Sequence, residues 1–586
     1  MSFYKKQKDG GDDMEEVIQY LAEAKEAYVD VYISFLRYAA PILAFLILFR
    51  CLKPLLFFKR EPEIWAWLHM ADGSKHALTH WENVIGRSKS SDVRINFSSV
   101  SRNHAVFTRY DDGSWTVTDA NSKSGVLVNG HPVKICALEE DDVINIGGMD
   151  MTLVPITKQQ ESLQAQLRTK GASGFDSVAN LLLLTIFQCL CCIAFLLGGD
   201  PEQYLTVIQG FGGILAAQWV LLIFYGMIRR SAFEVETVAF FLCTMGMAAL
   251  LAIKPAESGK QLFAMFLGIL VFLVVGWSMR DLERAKKFRY LAVILGIGFL
   301  IFTLLFGKET YGAKAWVVIG GMTLQPSELS KVCFVYAGAS AMDRLMNKRN
   351  LFLFILYSIA ICGCLALMND FGTALIFFVA FLVIAYMRSG SVGTVGLACT
   401  ALGFAGVIAV KIAPHALRRF TIWRHIWEDP FGLGFQQTRA IMCIASGGLF
   451  GIGAGRGLLK NVFAADSDIV FASISEEWGL IMATMLVLSI VALALFALRS
   501  ASMTRSSFYT IGAVTASAVM LTQVILNCLG TVDVVPLTGV TFPFLSNGGS
   551  SMIGAWGLLA FIKAADTRQN ASFAVRLAKR VREDAE

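Results

Sequence analysis

The chain alternates between long apolar runs and short charged joints. A first run spans Val31 to Phe49, and after residue 176 twelve more follow, at about 178–197, 205–227, 235–253, 261–279, 288–306, 328–345, 351–368, 371–387, 393–412, 476–498, 508–530 and 548–563. Each has about the length a helix needs to cross a hydrocarbon layer roughly 30 Å thick. Between the first and second runs the rhythm changes. From Pro62 to Pro155 short strands such as Trp115-Thr116-Val117-Thr118 and Val126-Leu127-Val128 alternate in polarity, separated by Asp-Asp-Gly and Asn-Gly turns. This period of two predicts a compact all-β domain. A polar linker, Lys158 to Asp176, leads back to the apolar runs.

Composition agrees that water is not the main solvent. Of 586 residues 55% are hydrophobic and 16% charged, and the mean hydropathy is +0.58, far above that of an ordinary soluble chain. The net charge of +6 is spread over loops without a Lys/Arg block, which excludes a nucleic-acid partner. Cysteines such as Cys189, Cys191, Cys192, Cys243, Cys362, Cys364 and Cys528 lie inside apolar runs without ligand spacing, so neither a disulfide framework nor a metal-thiolate site is expected. The charged N-terminal stretch is unlike a cleavable signal peptide, and the first run is expected to remain as an anchor.

The cations orient the spans. Arg50, Lys53, Lys59 and Arg60 follow the first run, and Arg229/Arg230, Arg280 to Arg289, Arg344 to Arg349, Arg388 and Arg499 to Arg505 recur at alternate joints, with Arg576, Lys579 and Arg580 in the tail. By the positive-inside rule these joints, the β domain and the C-terminus face the cytoplasm of a plasma membrane. Residues 1–30 and the longest connection, 413–475, then lie outside. That connection is too long for a bare linker and is the natural place for an active site. Its Arg418, Arg419, Arg424, Arg439, Arg456 and Lys460 suit an anionic, diphosphate-linked substrate.

Seven motifs follow one another in order: Gly312-Ala-Lys-Ala-Trp316, Gln325-Pro-Ser-Glu-Leu-Ser-Lys331, Gly434-Phe-Gln436, Ser446-Gly-Gly-Leu-Phe-Gly451, Ser467-Asp-Ile-Val-Phe-Ala472, Glu476-Glu-Trp-Gly479 and Pro543-Phe-Leu-Ser-Asn-Gly-Gly-Ser-Ser551. Together they resemble the FtsW/RodA/SpoVE proteins, the SEDS family of peptidoglycan glycosyltransferases. The resemblance implies a ten-span core beginning near Val235, with the two spans between 178 and 227 as additions. It implies polymerisation of lipid II, in which the hydroxyl of one sugar attacks another that is linked to undecaprenyl diphosphate. Such chemistry needs a base at the acceptor hydroxyl and cationic help for the departing diphosphate. Asp468 aligns with the family's catalytic aspartate; Asp466 is its rival, and a solvated loop carboxylate or helix cap is the plain alternative.

Glu328 and Lys331, three residues apart, share one face of a span and are read either as a structural ion pair or as substrate contacts. Gln325, Gln436, Ser546, Gly549 and Ser550 offer donors to sugar or diphosphate oxygens, with loop and capping duty as the equal alternative. No tightly bound cofactor and no protein metal site is expected, although the resemblance is compatible with Mg or Mn at the diphosphate. The chain departs from the family pattern at three places: Phe463-Ala464-Ala465 stands for Pro-Glu-Ala, Gly312-Ala-Lys-Ala for Gly-Ala-Arg-Arg, and Met368-Asn369-Asp370 for Gln-Pro-Asp.

In the β domain, Gly86-Arg87, Ser101-Arg102-Asn103-His104, Asn121 to Gly125 and Val128-Asn129-Gly130 resemble a forkhead-associated (FHA) domain, a β sandwich that binds phosphothreonine peptides. Arg87, Ser101 and Arg102 are the residue types a phosphate requires, and His104 is expected to brace the loops. Ser124, a further candidate for contact with the phosphopeptide, stands where the family generally has an asparagine that grips the peptide backbone.

The chain accordingly divides into a tail (1–30), an anchor (31–51), the FHA domain (62–155), a linker (156–177), two additional spans (178–230), the glycosyltransferase core (233–566) with its outer loop (413–475), and a cytoplasmic tail (567–586). Implied partners are lipid II, a class B penicillin-binding transpeptidase, a phosphothreonine protein of the cell-wall machinery and the membrane. Two rival readings share the sequence, a lipid II flippase working through Lys331 and a non-catalytic scaffold working through the FHA domain.

Overall fold

The structure, a computed structural model, describes residues 2–566 apart from 58–62, 89–90, 111–112, 158, 162, 164–173, 229, 231, 281, 311, 320–321, 342–347, 390–391, 413 and 502–505. The expected cationic tail, most of the linker and parts of the joints at 342–347 and 502–505 lie outside these residues. A helix lies over every one of the thirteen expected spans. Eight of the described helices are long and apolar enough to cross a membrane.

One of the other spans shows a physical reason for its shortness. Gly549–Ala564 has 16 residues, about 24 Å of helix at 1.5 Å per residue, short of the lipid's thickness. It is shielded by other helices instead: Ser550 to Ala564 is buried at every position. Close approach requires small residues there. A Cβ on Gly554 would stand 3.0 Å from the carbonyl oxygen of Glu328 on the neighbouring helix.

The additional helices form their own layer. The N-terminal helix Ser2–Leu56 runs antiparallel to Gly174–Gly198, as the Tyr32 hydroxyl donates to Leu190 O (2.8 Å) near one end and Arg50 Nε to Asn180 Oδ1 (2.8 Å) near the other. The buried amides of Gln188 and Gln218 each donate to the other at 2.9 Å, and Gln188 also donates to Thr244 of the helix Glu234–Ile253 at 3.0 Å. With lipid offering no partner, such polar groups must satisfy one another across helices. A second buried seam joins Tyr225 of the added helix Tyr204–Met227 to Glu236 (2.6 Å), and Glu236 in turn to Lys563 (3.0 Å), all fully buried.

Residues 66–155 make two packed sheets of six and five strands. Alternation is visible in Ala66–Met70, whose inward Ala66, Leu68 and Met70 join Ile85, Phe107, Trp115, Val117 and Ile144 in a separate core. The Asn-Gly turn has Asn129 and Gly130 at φ of 51° and 80°, the left-handed pair a tight hairpin favours.

A hydrogen bond ties sandwich to bundle. The hydroxyl of Ser507, first residue of the helix Ser507–Thr531, donates to Glu82 at the start of the strand Glu82–Gly86. A negative group at a helix start is electrostatically favoured.

Candidate functional site

At the far end of Ser507–Thr531, about 36 Å from Ser507 at 1.5 Å per residue, the long connection folds back on the bundle. It is not bare: helices Pro414–Ile422 and Phe435–Gly447 and a short turn at Leu459–Asn461 stiffen it. Its last span begins earlier than the apolar run implies, at Val470, and is broken at Gly479 (φ 87°). A Cβ at Gly479 would lie 2.3 Å from Leu449 O, so only glycine lets the glycine-rich turn close against this helix. Ahead of the break, Glu476 accepts from the backbone N–H groups of Leu458 and Leu459 (both 3.0 Å), and Glu477 from those of Gly455 (2.9 Å) and Gly457 (3.3 Å). The two buried glutamates therefore hold the loop that leads to Asp466 and Asp468.

The two aspartates have different surroundings. Lys254 Nζ lies 3.1 Å from both oxygens of Asp466, and Asn547 Nδ2 donates to it at 2.7 Å while also donating to Glu257 at 2.7 Å. Asp466 is buried and its charge is compensated. Asp468 is half-buried, and its side chain accepts from the Ser467 hydroxyl at 3.1 Å. Burial pushes the Asp468 carboxyl above the usual carboxylate range, Asp466 adds to the push, and Ser467, Arg419 and Lys254 oppose it. A half-buried carboxylate of raised basicity is the electrostatic condition of a general base.

The other candidate residues fall into groups. Ser546 is buried, accepting from Phe542 N (2.8 Å) and donating to Ser467 O (2.7 Å), so it braces the aspartate loop. Ser550 accepts from the backbone N–H of Gln325 (2.7 Å), whose side chain donates to Asp370 (3.2 Å). Gly549 opens the same buried helix. Gln436 donates to Phe463 O at 3.0 Å. Glu328 and Lys331 form a buried ion pair, 2.6 Å apart. Arg418 and Arg419 are exposed on Pro414–Ile422. Two of the departures from the family pattern meet in space: Lys314 N donates to Met368 O at 2.9 Å, and Asn369 Nδ2 to Gly312 O at 3.3 Å.

Sequence reasoning missed Lys254, Glu257 and Asn527, which bear no local signature, singled out Ser546, Gly549 and Ser550 but not Asn547 within the Pro543 to Ser551 motif, and missed the three-stranded sheet over Lys308–Leu324 that carries the Gly312 motif. Among the described residues no three His, Cys, Asp or Glu side chains gather to hold a metal, and the Asp466 carboxylate already receives Lys254.

On the sandwich, Arg87 and Arg102 are exposed beside Ser101, whose hydroxyl accepts from Lys123 N at 3.0 Å. His104 is fully buried, its ring linking Ser101 N (3.1 Å) and Gly125 O (2.9 Å). It braces the loops. Ser124 donates to Ser99 O at 2.9 Å.

Fold and site together define a many-span membrane protein whose motif-rich loop centres on a carboxylate, fused to a two-sheet β sandwich. The family described as "Cell cycle protein", FtsW/RodA/SpoVE, matches residues 219–571, and the FHA domain family matches 83–147. The chain belongs to the FtsW/RodA/SpoVE family and carries an FHA domain. Among its relatives, the peptidoglycan glycosyltransferase RodA of Mycobacterium tuberculosis is 28% identical over 53% of this chain and 70% of that protein. The probable peptidoglycan glycosyltransferase FtsW of Bacillus subtilis is 28% identical over 53% of this chain and 83% of its own. A chain from a solved peptidoglycan synthase complex is 25% identical over 56% of this chain and 96% of its own, with a TM-score of 0.48.

Proposed function

We propose that this chain is a peptidoglycan glycosyltransferase that polymerises lipid II at the outer face of the cytoplasmic membrane, with Asp468 as general base. The observation that carries the reading is the contrast between Asp466, neutralised by Lys254 and Asn547, and Asp468, which has no cation within ion-pairing distance among the described residues. Asp468 takes the proton of the acceptor hydroxyl as that oxygen attacks the anomeric carbon of the donor sugar. The bond from that carbon to the diphosphate breaks, and the exposed Arg418 and Arg419 offset the charge that leaves with it.

The flippase reading rests on Lys331, but its 2.6 Å pairing with Glu328 inside the bundle favours a structural role. In the same reading the FHA domain faces the cytoplasm and recruits a phosphothreonine protein, and a class B penicillin-binding transpeptidase cross-links the product. The test is glycan polymerisation from purified lipid II by the full chain. Asp468→Asn, nearly isosteric and well folded, is expected to make no polymer, and undiminished polymer from it would overturn the assignment.

A further inference from the structure

Asn527 lies one turn before the end of Ser507–Thr531 and is buried. Its two amide protons face three carbonyl oxygens: Val540 at 2.8 Å, Asp468 at 2.9 Å and Ser467 at 3.4 Å. These belong to two separate stretches of chain, the aspartate loop and the segment before Ser546. On the second stretch, a Cβ at Gly539, next to Val540, would lie 3.2 Å from Asp468 Oδ2. One side chain thus ties the peptide of Asp468 to the backbone that lies against its carboxylate.

The residue type fits this task and little else. Only a primary amide supplies two donors from so short a side chain; serine supplies one, and aspartate would set a fourth acceptor against three carbonyls. Meanwhile Asn527 Oδ1 is buried and has no hydrogen-bond partner, a loss that ordinarily disfavours a buried amide. The donors account for its place here.

We propose that Asn527 is a positioning residue for the reaction, holding the Asp468 peptide so that its carboxylate meets the acceptor hydroxyl. The inference rests on Asp468 being the base. A merely structural amide would alter stability and leave turnover alone, whereas displacement of a base by a fraction of an ångström lowers kcat steeply without weakening substrate binding.

The test measures kcat and KM for lipid II polymerisation by the full chain and its Asn527→Ala and Asn527→Ser variants, with thermal unfolding of each. Gln188→Leu removes a buried amide remote from the site and serves as control. Expected are a kcat about tenfold lower or more for Asn527→Ala, an intermediate loss for Asn527→Ser, which keeps one donor, and a KM within about twofold of the parent in both. Gln188→Leu is expected to lose thermal stability at unchanged kcat. Wild-type kcat in either folded Asn527 variant overturns the proposal, and so does failure of both to fold while Gln188→Leu folds, because Asn527 is then a residue of the fold. Asp468→Asn is assayed alongside. Should it polymerise normally, the reading of Asp468 fails by itself, whatever Asn527 does.

Discussion

Glu82 and Ser507 join the β sandwich to one end of a helix whose other end holds Asn527 against Asp468. The sandwich and the aspartate loop therefore lie at opposite ends of a membrane-length helix. The apolar segment Tyr28–Leu56 of the N-terminal helix repeats this polarity, with Asp30 near its start paired to Arg456 of the loop and the chain entering the sandwich after its end. Combined with the cationic joints, this geometry predicts that position 460 reacts with a membrane-impermeant thiol reagent in intact cells and position 124 only after permeabilisation. Single cysteines placed at each site in a chain without its native cysteines test this. The reverse pattern would turn the assignment over.

The exposed Arg87 and Arg102 beside Ser101 predict binding of phosphothreonine peptides, since a phosphate carries nearly two negative charges and charge-assisted bonds are the stronger kind. Arg87→Ala should weaken a phosphopeptide by about tenfold or more, the equivalent of roughly 1.5–3 kcal/mol for a bond to a charged group. Fluorescence anisotropy with full-length protein measures it. Because Ser124 is engaged with Ser99 O, Arg87 and Ser101 are expected to dominate affinity. Equal binding of phosphorylated and unphosphorylated peptides would remove the phosphate from the account of this domain.

The buried Glu236–Lys563 pair welds the added helices to the core through Tyr225. Removing one charge strands the other in a dry interior, which costs about 3–5 kcal/mol. Lys563→Met is expected to lower thermal stability by that order. The double variant Glu236→Gln with Lys563→Met should recover most of it, since the glutamine oxygen still accepts from Tyr225. A double variant no more stable than the single one would contradict this account.

Hydropathy along the chain announces the spans, because it sums over about twenty residues and tolerates local exceptions. The sandwich is equally legible, because its strands keep one face inward. What escapes a reading of the sequence depends on partners far along the chain: Lys254 is 212 residues from Asp466, and Lys563 is 327 from Glu236, so no local pattern announces either pair. The sheet at Lys308–Leu324 escapes because its central strand, Ala313–Ile319, ends in the unbroken apolar run Trp316 to Ile319, which hides the period of two. Asp468 stands out by resemblance to a family, and its contrast with Asp466 emerges only from the fold.

That contrast has a consequence for stability. Burial raises the Asp468 carboxyl above its ordinary range in the folded chain, whereas in the unfolded chain it titrates at the usual value of about 3.9. Between the two values the folded state holds a proton that the unfolded state has released, so stability falls as pH rises through that window. Below the unfolded value the penalty is absent; it grows as pH rises above that value and is fully present above the folded one, because the folded chain must then keep a poorly solvated charge. Asp468→Asn keeps the shape and carries no charge at any pH. It should therefore melt at a higher temperature than the parent near neutral pH, and the gap should close on acidification below the ordinary carboxylate range. Thermal unfolding of both proteins in the same detergent across pH measures this. A gap that does not change with pH, or a parent that is the more stable at neutral pH, would show that the Asp468 charge is well solvated and would remove the electrostatic ground for its basicity.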